Sequence, residues 1–194
     1  MALSLAHATA GYLAYEAVRP AGAHRPLLLG AAVALANGPD LDFVPGLLVG
    51  NPAIYHRGVT HTLAAVVVVA ALVALGACAL GQGRRPALRA GLWAAAVWTS
   101  HLVLDYFTIN AAVPAGARFL WPLSDRYWIA PVTPLPEIVI DSTGRRAFFA
   151  SVFNAGTLRV WGGELLLLVV AIAAVHALRA WQARPTWRDV REET

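Results

Sequence analysis

Lysine is absent from this chain of 194 residues, and all fifteen basic residues are arginine. Charged residues make up only 13% of the sequence, and the single cysteine, Cys78, lies in an apolar run. One cysteine excludes an internal disulfide and a thiolate metal site. The low charge content is not typical of a soluble domain, in which roughly a quarter of the residues are charged.

Hydrophobic residues make up 58% of the chain, and the mean hydropathy is +0.59. These values indicate an integral membrane protein. The length suffices for one compact bundle of several spans, and no charge run or flexible linker divides the chain. We therefore predict a single membrane domain over residues 1–194.

About five hydrophobic segments are visible, and they predict an all-α fold, a polytopic bundle of transmembrane helices. The three clearest segments are residues 59–80, 87–108 and 164–181. Segment 59–80 is long enough, at ~1.5 Å per residue, to cross a hydrocarbon core of ~30 Å. Segments 2–18 and 26–36 are weaker, and the second spans part of a bilayer or is completed by neighbouring residues.

Residues 109–163 differ from the rest in being rich in proline, aromatic residues and arginine. Tryptophan and tyrosine prefer the headgroup level of a membrane. We expect this stretch to form an extramembrane or interfacial cap with little regular structure.

The distribution of arginine orients the chain in the membrane. Alternating spans bring three arginine groups to one side, at residues 19–25, 84–89 and 179–191, and these contain nine of the fifteen arginines. By the positive-inside rule that side is cytoplasmic, which predicts a multi-pass protein of a bacterial inner membrane. Because the arginines are scattered between apolar segments, we expect no nucleic-acid partner.

Histidine and aspartate cluster at the opposite, extracytoplasmic side of this topology, whereas His24 and His176 lie elsewhere. Ionisable groups at membrane segments are costly, so their position on one side is a functional signal. We predict a metal site there, formed by His7, Asp40, Asp42, His56, His61, His101 and Asp105.

His101 and Asp105 are the first pair within this set. They are four residues apart, so on a helix they lie about 40° apart on one face and could hold one ion together. Alternatively, Asp105 orients His101 through a hydrogen bond, as carboxylates commonly do behind a metal ligand.

Asp40 and Asp42 follow a helix-breaking Asn37-Gly38-Pro39 turn. If the backbone is extended there, both carboxylates can face one ion, and carboxylate oxygens suit zinc, manganese or magnesium. The alternative is helix capping, in which an aspartate accepts from free backbone amides.

Residues 56–62, with the sequence His-Arg-Gly-Val-Thr-His-Thr, stand at the start of the clearest apolar segment. A spacing of five fits one helical face poorly, so we expect His56 in a turn and His61 at the helix start, both pointing inward. Arg57 is a candidate clamp for a phosphate or carboxylate. It could instead extend toward lipid headgroups, and Thr60 could cap the helix.

These residues resemble the YdjM-type family of bacterial inner-membrane metal-dependent hydrolases. The resemblance runs through His7, Pro39-Asp40-Leu41-Asp42, residues 56–62, Ser100-His101-Leu102-Val103-Leu104-Asp105 and Leu120-Trp121-Pro122. The His-Arg-Gly-x-Thr-His block is its most specific part. Phe43 stands where many family members have a histidine. The resemblance implies a membrane-embedded hydrolase that uses a divalent metal.

Our leading hypothesis is hydrolysis of a phosphoester or related ester in a lipid-like, amphipathic substrate. Asp40, Asp42 and Arg57 are the candidate catalytic residues, with one aspartate as ligand and the other as ligand or base. Histidine and aspartate ligands without cysteine favour zinc, with manganese possible. The alternative is a non-enzymatic, metal-stabilised scaffold that binds a protein partner. A metal carrier fits less well, because its ligands would follow a path across the membrane.

Overall fold

The computed structural model describes residues 4–20, 24–109 and 114–182. Its helices are α1 (Ser4–Val18), α2 (Pro26–Asn37), α3 (Phe43–Leu48), α4 (Leu63–Ala79), α5 (Arg84–Tyr106), α6 (Arg145–Val152) and α7 (Ala155–Gln182). Short 3₁₀ segments cover Gly38–Asp42 and Val59–His61. The described ranges contain no strand and two isolated β-bridges. The prediction of an all-α fold is confirmed.

The second hydrophobic segment is longer than the sequence pattern predicted. α2 ends at Asn37, as expected, but the 3₁₀ segment and α3 continue the helical path to Leu48. Pro39 lies in the first turn of the 3₁₀ segment, where its missing N–H would have no helical partner in any case. We expected Pro39 to end the helical path, but the chain continues from it into another helical turn.

Within the part of the chain that the structure describes, two segments are long and apolar enough to cross a membrane, Pro26–Leu48 and Ala155–Gln182. α4 is apolar but shorter. The apolar window of α7 has a mean hydropathy of 2.0, and only 6% of it is buried within the protein. Water would solvate such a helix poorly, whereas a bilayer accommodates it. Five spans remain a prediction.

Close helix contacts are made through small residues. A Cβ at Gly11 of α1 would lie 2.7 Å from the carbonyl oxygen of Ala32 in α2, and one at Gly91 of α5 would lie 2.6 Å from that of Ala70 in α4. Glycine thus permits a backbone approach that any larger side chain would prevent. Such small-residue contacts are typical of helix packing in membranes.

The helices alternate in direction, which separates two ends of the bundle. Ala36 at the end of α2 lies beside His101 near the end of α5. At the other end, Glu16 of α1 pairs with Arg19 at 2.7 Å and with Arg179 of α7 at 3.0 Å. Arg19 and Arg179 thus lie at the end opposite the histidine cluster; the tail arginines at 184, 188 and 191 lie outside the described residues.

Residues 109–163 contain more helix than we expected. α7 begins at Ala155, ahead of the predicted start at residue 164, because Asn154 Oδ1 accepts from the backbone N–H of Thr157 at 3.0 Å and caps the helix. α6 is joined to α3 by Arg145, which donates to the carbonyl oxygens of Leu47 at 2.6 Å and Leu48 at 2.8 Å. An arginine at carbonyls that a helix leaves free is a favourable cap.

Candidate metal centre

Five parts of the chain supply the predicted site residues, and all of them meet at one end of the bundle. α1 carries His7, the first 3₁₀ segment carries Asp40 and Asp42, and α5 carries His101 and Asp105. As predicted, His56 and Arg57 lie in a turn, and His61 ends the short 3₁₀ segment before α4. The bend directs both histidines into the same cluster.

Among residues 4–20, 24–109 and 114–182, two groups of side chains could each hold a metal ion. One comprises His7, His101 and Asp105, and the other comprises Asp40, His56 and His61; within each group the candidate ligand atoms lie within 4.8 Å of one another. The groups adjoin, because the Nε2 atoms of His61 and His101 are 3.2 Å apart. Asp40 Oδ1 lies 3.5 Å from His101 Nε2 and 3.6 Å from His61 Nε2. The cluster therefore has room for one ion or for two adjacent ions.

Burial and missing hydrogen bonds show that a cation fits this cluster. His7, His61 and His101 have no exposed surface, and Asp105 is 3% exposed. Both carboxylate oxygens of Asp40 and Asp105, and both ring nitrogens of His7, are buried without a hydrogen-bond partner. Buried carboxylates cost several kcal/mol each unless they are paired or bind metal. These converging acceptor atoms match the needs of a divalent ion.

His101 is held in the orientation that a metal ligand requires. Its Nδ1 lies 2.8 Å from the carbonyl oxygen of Ala36. Because a carbonyl oxygen can only accept, Nδ1 carries the hydrogen and Nε2 keeps its lone pair. That lone pair lies on the side of Asp40 and His61. A backbone carbonyl behind a histidine ligand is the usual arrangement at metal sites.

Both carboxylate oxygens of Asp42 have hydrogen-bond partners, unlike those of Asp40. Its Oδ1 accepts from His56 Nδ1 at 3.0 Å, while Oδ2 accepts from the backbone N–H of Arg57 at 3.1 Å and from Thr60 Oγ1 at 2.9 Å. His61 Nδ1 lies 3.1 Å from the same Oδ2. Both oxygens of Asp42 are thus in use, and its position suits the orientation of two histidines.

The backbone conformation explains why the side chains of Asp40 and Asp42 have different partners. The Gly38–Asp42 segment is 3₁₀ helical, with about three residues per turn, so positions two apart do not share a face. The extended backbone that would direct both carboxylates to one ion does not occur. Capping does not occupy Asp42 either, because it makes no side-chain hydrogen bond at the start of α3.

Arg57 lies inside the cluster and is buried within the protein. It is 8% exposed, and its Nε lies 3.6 Å from Asp105 Oδ2. Its two terminal nitrogens are buried without a hydrogen-bond partner. Its backbone φ is 59°, a left-handed conformation that costs free energy in a residue other than glycine. The strained backbone and the two terminal nitrogens without a hydrogen bond are both typical of a binding site.

His56 stands in the turn outside the helices. Burial lowers its pKa below the ordinary value, although the hydrogen bond to Asp42 acts in the opposite direction. A lowered pKa keeps the ring neutral, which is the form that binds metal. Phe43 stacks on the ring with centroids 4.0 Å apart, so the residue in place of the family histidine packs against a candidate ligand.

The sequence did not predict the hydrogen bonds by which Thr60 and Trp98 support the site. Thr60 donates to Asp42, whereas Thr62 caps α4 by accepting from the N–H of Ala65 at 3.1 Å. Trp98 of α5 donates from Nε1 to the carbonyl oxygen of Thr60 at 3.0 Å. The sequence suggested Thr60 as a cap of α4, and this prediction is wrong because Thr62 caps that helix. For Trp98, the sequence indicated only an aromatic residue in a predicted span.

Comparison with known proteins agrees with the sequence motifs. The family described as YdjM inner membrane protein matches residues 1–185, which extends the resemblance beyond Pro122 through α7. No curated protein and no solved structure matches the chain.

Proposed function

The chain belongs to the YdjM inner membrane protein family, and we propose that it is a membrane-embedded, metal-dependent hydrolase. The proposed substrate is a phosphoester or related ester of a lipid-like molecule. The family name and the two apolar helices support the membrane location. We further propose a multi-pass arrangement, with the metal centre on the extracytoplasmic side.

One observation carries this proposal: unpartnered acceptors and unpartnered donors lie side by side in a buried site. The acceptors are the carboxylate oxygens of Asp40 and Asp105 and one ring nitrogen of His7, and the donors are the terminal nitrogens of Arg57. The acceptors suit a cation and the donors suit an anion. Their contact, at 3.6 Å between Arg57 and Asp105, is the arrangement that a metal-dependent phosphoesterase needs.

One ion would be held by His7, His101 and Asp105, and an adjacent one by Asp40, His56 and His61. A divalent ion in such a site activates water at neutral pH and polarises an ester. Histidine and carboxylate ligands suit zinc first, and manganese second.

The carboxylates divide the remaining work. Asp42 orients His56 and His61 through its two oxygens. Asp40 Oδ1 faces the two histidine Nε2 atoms, while its Oδ2 has no partner. The side chain of Asp40 is 13% exposed, against 1% for Asp105. We assign Asp40 as ligand through Oδ1 and as proton acceptor through Oδ2.

Arg57 would bind the anionic group of the substrate. A guanidinium offers two parallel N–H donors that match the oxygens of a phosphate. The terminal nitrogens are buried without a hydrogen-bond partner, so a phosphate that reached them would supply the acceptors that they lack. Its neighbour Asp105 is on the Nε side, which leaves the two terminal nitrogens for substrate.

The complete burial of three histidines also fits the second candidate, a metal-stabilised scaffold, because structural metal sites are closed. The two candidates differ in what Arg57 does. A scaffold has no use for two buried guanidinium nitrogens without a hydrogen-bond partner, which cost stability. The free donors of Arg57 therefore favour hydrolysis over a structural role.

Arg57→Lys tests the proposal, with Arg118→Lys as the matched control on an exposed ion pair. Lysine keeps the charge and loses the planar fork, so turnover should fall roughly 100-fold. Metal content and melting temperature should hold. The substrates are phosphodiesters, phospholipids, carboxyl esters and peptides, presented to the protein in nanodiscs. A fully metal-loaded wild type that hydrolyses none of them would leave the scaffold as the better account.

A further inference from the structure

A cavity of about 350 Å³ lies between α6, residues 138–140 and the Gly38–Asp42 segment. Eight of its ten lining residues are apolar, and they include Phe43, Phe148, Phe149 and Phe153. The two polar lining residues are Asn37 and Asp40. A largely apolar cavity with a few polar groups at one place is the usual form of a small-molecule site.

Asp40 joins this cavity to the metal centre. His7, His61 and His101 have no exposed surface, whereas the side chains of Asp40 and His56 are 13% and 10% exposed. The described part of the cluster thus meets open space on the side where Asp40 lines the cavity. A substrate that reached the ion from this side would leave its apolar part among the phenylalanines.

We propose that this cavity binds the hydrocarbon chain of the substrate while the ester lies at Asp40, where the cavity meets the metal centre. The inference rests on the proposed hydrolase function, and it names the substrate class as an amphiphile that inserts one chain. The volume is near the lower end of the roughly 300–1,000 Å³ that ligand sites span. It accommodates a single chain and excludes a lipid with both chains inserted.

Shape and not hydrophobicity would set the selectivity. Lipid tails are as apolar as the phenylalanine wall, so a chain gains little free energy on moving from the bilayer into the cavity. What the cavity supplies is position, because it fixes the chain and thereby the ester next to the ion. Chain length and branching should matter more than total apolar area.

The cavity wall is tied to the metal centre by aromatic contacts. Phe148 of α6 packs against Phe43 with ring centroids 5.4 Å apart, and Phe43 stacks on His56. Arg145 fixes the start of α6 to the end of α3. A chain that fits the wall is therefore placed relative to His56 by direct packing.

Photolabelling in zinc-loaded nanodiscs tests this assignment with the full chain. The probe is a linear alkyl phosphonate with a diazirine at the chain end, whose C–P bond resists hydrolysis. The matched probe has the same chain on a neutral hydroxyl. The phosphonate should label cavity residues such as Ile140 and Phe153 several times more than the alcohol does. Equal labelling by both probes would show ordinary bilayer lipid in the cavity and would overturn the inference.

Two substitutions on α6 locate the chain. Val152 lines the cavity, so Val152→Trp should cut the labelling at least tenfold, whereas Ala150→Trp on the exposed face should not. Metal content and melting temperature establish that each variant folds. As a second measure, Ile140→Ala enlarges the cavity and should admit a branched chain that the wild type rejects. Unchanged labelling in both cavity variants contradicts the proposal.

The two proposals fail separately. Labelling as expected with no ester hydrolysed would remove the hydrolase and keep an amphiphile-binding cavity. Hydrolysis whose chain preference is the same in wild type, Val152→Trp and Ile140→Ala would keep the hydrolase and remove the cavity from substrate binding.

Discussion

The ring of Trp98 occupies the space that a side chain on Gly38 would need. A Cβ built on Gly38 would lie 2.4 Å from Cζ3 of Trp98, and the same indole donates to the carbonyl oxygen of Thr60. Trp98 therefore links the segment that carries Asp40 and Asp42 to the turn that precedes His61.

Gly38→Ala should lower the stability of the packing beside the metal centre. The added methyl group must displace Trp98, and such overpacking costs about 1–3 kcal/mol. Gly30 in α2 has nothing within 4 Å of its Cβ position, so Gly30→Ala should be neutral or stabilise by about 0.5–1 kcal/mol. Thermal unfolding in detergent measures both. Equal melting temperatures would show that Trp98 moves to accommodate the methyl group without loss of stability.

Asp42→Asn should weaken metal binding without abolishing it. The amide keeps the size of the carboxylate but replaces one acceptor by a donor, so the hydrogen bonds that orient His56 and His61 cannot all form. Loss of such an orienting group costs about 10–100-fold in affinity.

Metal titration against a chelator separates this role from direct ligation. Asp105→Asn should lose more affinity than Asp42→Asn, and Asp125→Asn, whose side chain is 86% exposed, should lose none. If Asp42→Asn were the most damaging of the three, Asp42 would be a ligand, as the sequence first led us to expect.

Much of the site could be predicted from the sequence because it depends on helix ends. A spacing of four on an apolar segment places His101 and Asp105 together on α5, and alternation of spans brings His7 and His61 to the same end. Both features follow from local periodicity and chain direction. Six of the seven residues that the sequence predicted as ligands lie in the two groups that could hold a metal ion, and Asp42 does not.

The remaining features depend on tertiary contacts that no local pattern encodes. Asp42 could be assigned to orientation only once His56, Arg57 and Thr60 were seen around it. α6 lies in a stretch without a long apolar period, and Arg145 places it through two backbone carbonyls of α3. The cavity beneath α6 was therefore not predicted.

Reporter fusions test which side of the membrane carries the metal centre. A reporter after Gly83, next to Arg84 and Arg85, should be cytoplasmic by the positive-inside rule. One inserted near Ser142, ahead of α6, should be extracytoplasmic. The reverse result would move the site to the cytoplasmic side and leave its geometry intact, whereas both reporters on one side would contradict the alternation of the helices.

Metal content of the purified protein, with anomalous scattering from crystals, tests the central claim most directly. A zinc or manganese ion should lie among His61, His101 and Asp105, and alanine at any of these should lower bound metal. His24→Ala and His176→Ala should not, because both residues are exposed and outside the cluster. Equal metal content in all five variants, or no anomalous peak in the cluster of metal-loaded wild type, would contradict the account.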